Sequence, residues 1–308
     1  MKQKIKLQIL KKSRYVTGNW ELYLFLLPGL VFLLMFKSLP MLKISIAFKQ
    51  FKPMLGLARS PWVGLKHFRM LLADPMVWRA VKNTLVINLL EMSFTLPVSM
   101  ILAILINEIT FTGLKKAVQT VIYIPHFFTW VVVYSVFFLV FGSGGVFNTI
   151  WTRLGFEPIL FFVRNSWFRV MLVSSEMWHS VGWGTIIYLA AMLGIDPELY
   201  DAAVVDGANK LQQIIKITIP CLMTTFVLMM TLNLGKVMTN GFGQVLVFYN
   251  PTVYESSDII STYVYRTGLG QANFSYAAAV GLLDSMVGYV LVIISNRISR
   301  KITNSSVW

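Results

Sequence analysis

DPELYDAAVVDGANKLQQIIKITIP, residues 196–220, holds four of the chain's thirteen acidic residues, Asp196, Glu198, Asp201 and Asp206. It lies between two apolar stretches, and it reads as an elbow made of two helices. Asp196 suits an N-cap, Pro197 a first helical position, and Glu198 a first turn favoured by the helix dipole. Ala202, Ala203, Gly207 and Ala208 leave one side of this short helix nearly bare, rimmed by Asp201 and Asp206. Gly207 can take the positive φ that ends a helix. A second helix follows, with Leu211, Ile214, Ile215 and Ile219 on one stripe and Lys210, Gln213 and Lys216 on the other. Pro220 then marks the start of the next apolar stretch. The expected product is a stubby helix at right angles to its neighbours, shaped to fill a groove on another protein. A packed polar turn is the plainer alternative.

The flanks fix the class. Of 308 residues, 56% are hydrophobic and 14% aromatic, and the mean hydropathy is +0.67. A bilayer core takes about 20 apolar residues per helix. Six stretches satisfy that, at 20–40, 81–106, 118–141, 168–193, 220–240 and 276–295. No period-2 pattern marks a barrel. The chain is therefore expected to be all-α, a polytopic membrane protein with six transmembrane helices. Lys2, Lys4, Lys6, Lys11, Lys12 and Arg14 precede the first stretch. No small-residue cleavage site follows, so it reads as a retained anchor.

The formal charge of +14 raises nucleic acid as a partner. No soluble segment is long enough to build such a domain, and basic residues at membrane edges set topology and meet headgroups. Lys and Arg divide almost evenly between the two sides, nine of them lying between Lys37 and Lys82. The basic first segment favours cytoplasmic N- and C-termini. Cys221, the single cysteine, supports neither a disulfide framework nor a metal cluster.

Between the first two stretches, Val63 to Leu72 alternates apolar and basic positions like a helix lying on a bilayer surface. The segment 241–276 is rich in Tyr, Asn and Gly, as a re-entrant or cavity-lining stretch would be. Without internal repeats, the simplest division is a basic tail (1–19), one membrane domain (20–295) with its elbow at 194–220, and a second tail (296–308).

The elbow also carries a resemblance. Asp201-Ala202-Ala203, Asp206-Gly207-Ala208, then Ile217, Ile219 and Pro220 resemble the coupling-loop signature of permease subunits in bacterial ABC importers. Asp201 stands where that signature has Glu, and Ile219 where it has Leu. "LPGLVFLLMFKSLPM", "SPWVGLKHF", "QTVIYIPHFFTWVVV" and "NRISRK" look like the oligosaccharide branch, in particular permeases for polysaccharide-derived oligosaccharides such as alginate. The resemblance implies an inner-membrane subunit that couples to a partner ATPase through these nine residues. It also implies a second permease forming a heterodimer, two ATPase subunits, an extracytoplasmic solute-binding protein and an oligosaccharide substrate. ATP and Mg would be bound by the partner, with no cofactor here. The chain has no G-x-x-x-x-G-K-[ST] of its own.

Ionisable groups inside spans are costly and often functional. Glu91, Glu176, Lys236 and Asp284 meet that description. With Trp178, Trp183, Asn233, Asn240 and Tyr249, the acids Glu176 and Asp284 make a set suited to sugar: rings to stack on, amides and carboxylates to meet hydroxyls. Helix-to-helix bonding or interfacial anchoring explains the same residues. His126, after Pro125, reads as a packing histidine. No catalytic constellation or metal-ligand spacing appears. An ion-coupled sugar symporter, the alternative function, calls for inverted repeats that are not visible.

Overall fold

The computed structural model describes residues 18–303. The basic residues Lys2 to Arg14 and the last five positions lie outside them. The chain divides by its contacts into two units, Met1–His67 and Phe68–Trp308.

In the first unit, α1 (Trp20–Leu33) is apolar on every side and has no buried residue. That is how a helix facing lipid reads. It continues through a π turn, Leu34–Ser38, in which Leu39 N–H reaches back to the Leu34 carbonyl. Pro40 supplies no N–H to an α-helical ladder, and the wider turn accommodates that loss. Further on, Gln50 N–H donates to the Pro61 carbonyl and Val63 N–H to that of Phe48, both at 2.9 Å. Phe48 stacks on Trp62 with ring centroids 5.7 Å apart. The expected surface helix appears as Lys66–Ala73.

The second unit is built on α2 (Pro75–Asn107) and α6 (Asn165–Met192), its most extensive helix pair. Asp74 caps α2 by accepting from Met76 N–H, and Pro75 occupies the first helical position, where no N–H is needed. Between them come α3 (Thr112–Tyr123), α4 (Trp130–Phe141) and α5 (Val146–Arg153). The stretch read as one span at 118–141 is thus interrupted. Pro125 opens a 3-10 turn, Ile124–Phe127, and α4 starts afresh at Trp130.

Lipid is as apolar as leucine, so membrane helices associate through close packing and interhelical hydrogen bonds. Gly182 on α6 shows the first: a Cβ there would lie 1.8 Å from the Ile122 carbonyl oxygen of α3. Ser99 on α2 shows the second, donating to the Val181 carbonyl at 3.1 Å while Thr185 donates to the Ser99 carbonyl at 3.3 Å.

Beyond the elbow, α8 (Lys210–Leu234) runs unbroken. The sequence suggests an amphipathic helix that stops at Pro220. The structure instead makes a π turn at Ile214–Thr218, with Ile219 N–H bonded to the Ile214 carbonyl, and carries Pro220 inside the same helix. This is the device used before Pro40. The helix also ends at Leu234, short of the expected 240, and residues 235–241 form turns.

Helices α9 (Phe242–Phe248), α10 (Ile260–Tyr265) and α11 (Phe274–Thr303) complete the unit. The segment around α10 is tied to α2 and α6. Asn83 Nδ2 donates to the Glu255 and Asp258 carbonyls, both at 3.1 Å. Arg169 donates to Asn83 Oδ1 at 2.8 Å and to the Ser256 carbonyl at 3.1 Å. Arg266 pairs with Asp258 and lies over the Tyr254 ring, 4.4 Å from its centroid. Tyr263 and Tyr276 both donate to Asp74 Oδ2 at 2.7 Å. Burial pushes the Asp74 carboxyl up, but these two hydroxyls and the N–H groups of Met76 and Val77 outweigh it and hold it below the usual carboxylate range.

Candidate functional site

The elbow helix α7 (Pro197–Val205) leaves α6 at 74°. Asp196 caps it as expected, accepting from Glu198 N–H at 3.0 Å. The corner itself needs no left-handed glycine: Gly194, which stands there, has no positive φ. The far end does. Gly207 sits at φ +75°, and its N–H bonds the Val204 carbonyl while Ala208 N–H bonds that of Ala203. These paired bonds form the Schellman closure that favours glycine at this position. A Cβ on Gly207 would meet nothing within 4 Å, so only the backbone conformation demands glycine within this chain.

No residue of α7 is buried. Asp201, Ala202, Asp206 and Gly207 are exposed; Ala203 and Ala208 are half-buried. The sequence reading emphasised bareness and missed the apolar side chains. Leu199 is 47% exposed, Val204 62% and Val205 86%. The signal was present as Leu199-x-x-x-x-Val204-Val205, but it is too short for a periodicity argument.

Ile217 and Ile219 are half-buried, and Ile219 packs against Ala103, Ile104, Tyr188, Met192 and Leu222. Tyr200 and Thr218 hydroxyls lie 2.9 Å apart, and Gln213 Nε2 donates to the Ala208 carbonyl. Asn209 and Gln212 form a reciprocal capping box at the start of α8. These groups brace the elbow against the bundle. Pro220, by contrast, is exposed on α8.

The expected pathway residues separate into several places. Glu176, Asn233 and Asn240 line one cavity with Asn88, Glu91 and Thr95. Glu91 and Asn88, mid-span polar residues of α2, thereby join residues more than 80 positions away in sequence, which no local pattern reveals. Trp178 lines an apolar recess with Val98, Val121 and Val181. Trp183 stacks on His126 with ring centroids 4.7 Å apart, and His126 lies 5.3 Å from His179. Tyr249 packs beside Tyr254, at 5.1 Å. Asp284 lines a separate opening with Phe242, Tyr265 and Phe274. Lys236 is exposed where α8 breaks into turns.

Up to six helices long and apolar enough to cross a membrane, with an elbow turned 74° out of one of them, define a polytopic membrane protein. The chain is a member of the family of binding-protein-dependent transport system inner membrane components, whose pattern matches residues 77–304. It resembles the polygalacturonan/rhamnogalacturonan transport system permease protein YteP of Bacillus subtilis (strain 168), 42% identical over 288 residues, 93% of this chain and 90% of that one. Protein LplB of the same organism is 40% identical over 281 residues, 91% and 88% of the two chains. A crystal structure of a bacterial ABC transporter involved in the import of the acidic polysaccharide alginate superposes with a TM-score of 0.88. There the identity is 37%, over 95% of this chain and 99% of that chain. This protein is therefore a non-catalytic permease of an ABC importer in the inner membrane, working with an ATPase and a solute-binding protein.

Proposed function

We propose that this permease admits acidic, uronate-containing oligosaccharides and is driven by an ATPase subunit seated on α7. The observation that carries the coupling half is α7, which has no buried residue and is capped at both ends, presenting Leu199, Val204 and Val205 beside Asp201 and Asp206. An apolar cluster rimmed by charge is the anatomy of a docking patch. Ala202, Ala203, Gly207 and Ala208 let the partner approach closely, while the half-buried Ile217 and Ile219 secure the base of the elbow and Pro220 lies exposed beside it.

The substrate half is supported by relatives named for polygalacturonan and alginate. Nine basic residues against one acid, Asp74, between Lys37 and Lys82 also support it. Such a segment raises the local concentration of anions by long-range attraction, screened over about 8 Å at physiological salt. For the pathway wall we propose the exposed faces of Trp178 and Trp183 with Asn240, backed by Glu176 and Asn233. Tyr249 and Asp284 are outlying members of that set.

One elbow engages one ATPase. The working importer then holds a second, different permease with its own elbow and two ATPase subunits, with the termini of this chain in the cytoplasm. We treat residues 20–295 as one permease domain in that assembly.

Reconstitution of the complete importer in proteoliposomes tests the proposal. ATP-dependent uptake without an ion gradient is expected, whereas gradient-driven uptake without ATP would establish the symporter alternative. With Lys66 and Arg69 both changed to Gln, uptake of acidic oligosaccharides at low salt should slow while neutral ones are spared. Equal slowing of both classes removes the steering argument. An active complex with this chain as its only permease overturns the heterodimer.

A further inference from the structure

The cavity lined by Asn88, Glu91, Thr95, Glu176, Asn233 and Asn240 presents oxygen acceptors in excess. Asn88 Nδ2 is committed to the Thr84 carbonyl at 2.9 Å, and Asn233 Nδ2 to that of Met229 at 2.8 Å. Each amide thus has its Oδ1 left over. Glu91 is only 6% exposed, and its Oε1 has no hydrogen-bond partner; neither has the buried Thr95 Oγ1. Two carboxylates face this space; no Lys, Arg or His lines it, and His126 lies behind the wall within electrostatic reach of Glu176 alone.

Removing two like charges from water with no cation between them is strongly unfavourable, and more so within a membrane bundle. The void measures about 60 Å³. That is room for a few waters or one partly hydrated ion, and too little for a sugar ring. Among the described residues no three His, Cys, Asp or Glu converge, so the donor set is not one for a transition metal. Carboxylate, amide and hydroxyl oxygens together are ligands for hard cations.

We propose that this cavity is a cation site for Ca²⁺ or Na⁺. The carboxylates of Glu91 and Glu176 supply the charge, and the amide oxygens of Asn88 and Asn233 and the Thr95 hydroxyl complete the shell. Asn88, Glu91 and Thr95 stand on α2, Glu176 on α6 and Asn233 on α8. One ion therefore cross-links the three helices at the end of α8 opposite the elbow.

The test uses the full importer in lipid nanodiscs without its solute-binding protein, stripped with chelator in choline buffer. Radioactive Ca²⁺ and Na⁺ are then offered separately, with K⁺ as the control. One saturable ion per copy of this chain is expected, together with a melting temperature that rises over the same concentration range. The arm that saturates identifies the ion. Glu91→Gln should abolish both responses, and Glu91→Asp should retain them in weakened form. Asn233→Leu, which keeps both charges should Glu91→Gln fail to assemble, should weaken binding about tenfold. Absence of saturable binding of either ion above the K⁺ control overturns the proposal. So does a Glu91→Gln protein more stable than wild type in every buffer, since that result means the two carboxylates repel with no ion between them.

Discussion

Gly207 separates a requirement of the backbone from a requirement of the docking surface. At φ +75°, a residue with a Cβ bears about 1–2 kcal/mol of strain, a factor of roughly 5–30 in the population of the closed turn. No neighbouring atom adds to this, because a Cβ there meets nothing within 4 Å. The strain falls on the end of α7, a helix with no buried residue, so the melting of the bundle should stay where it is. Three substitutions divide the contributions. Gly207→Asn, tolerant of the left-handed region, should be close to wild type in the isolated permease and lose coupling only if its side chain obstructs the partner. Gly207→Ala carries the strain with little bulk. Gly207→Leu carries the same strain plus a branched side chain on the proposed docking face, and should lose coupled ATPase activity and uptake while the permease still inserts. The assay is substrate-stimulated ATP hydrolysis and uptake in proteoliposomes, with ATPase co-purification as the measure of assembly. Uptake at the wild-type rate in Gly207→Leu, at normal assembly, would refute the docking role. Equal loss in the Ala and Leu variants would confine the effect to the turn.

Val205→Asp places a charge on the most exposed apolar residue of α7 and should release the ATPase without shifting the permease's melting temperature; undiminished co-purification would move the docking face elsewhere. Gly182→Ala forces α3 and α6 apart against a backbone oxygen, and should cost about 1–3 kcal/mol, read as a lower melting temperature. Tyr276→Phe removes one of two hydroxyls on Asp74, and about 1.5 kcal/mol at neutral pH is expected for a bond to a charged acceptor. Because Asp74 has its folded pKa depressed, its contribution is present above the ordinary carboxylate pKa of about 3.9 and lost as pH falls through the folded value. The difference in melting temperature between Tyr276→Phe and wild type should therefore shrink in acid; a difference constant with pH would place the effect in packing.

The six apolar stretches and the capped elbow were legible because each rests on local chemistry: run length, an Asp-Pro-Glu start, a glycine past the helix end. The break within 118–141 was signalled by Pro125, but the apolar run on both sides hid it. The continuity of α8 was concealed by Pro220, since a proline in sequence announces a missing N–H and not the π turn that absorbs it. The cavity was half visible. Glu176, Asn233 and Asn240 stand out as polar residues in or beside spans, yet their convergence with Asn88, Glu91 and Thr95 depends on how three helices are rotated, which no single stretch specifies. The knot of Asn83, Arg169 and residues 255–258 was illegible for the same reason, joining positions up to 175 apart.

The unbroken course of α8 has a geometric consequence. At 1.5 Å per residue its 25 residues span about 37 Å, with the capping box of the elbow at one end and Asn233 at the other. A tilt of 5° about its midpoint would move each end by about 1.6 Å. A helix also transmits phase: inserting or deleting one residue between Gln213 and Asn233 turns the two ends by about 100° relative to each other. Length changes that a loop absorbs would therefore swing Asn233 out of the cavity while leaving α8 itself intact.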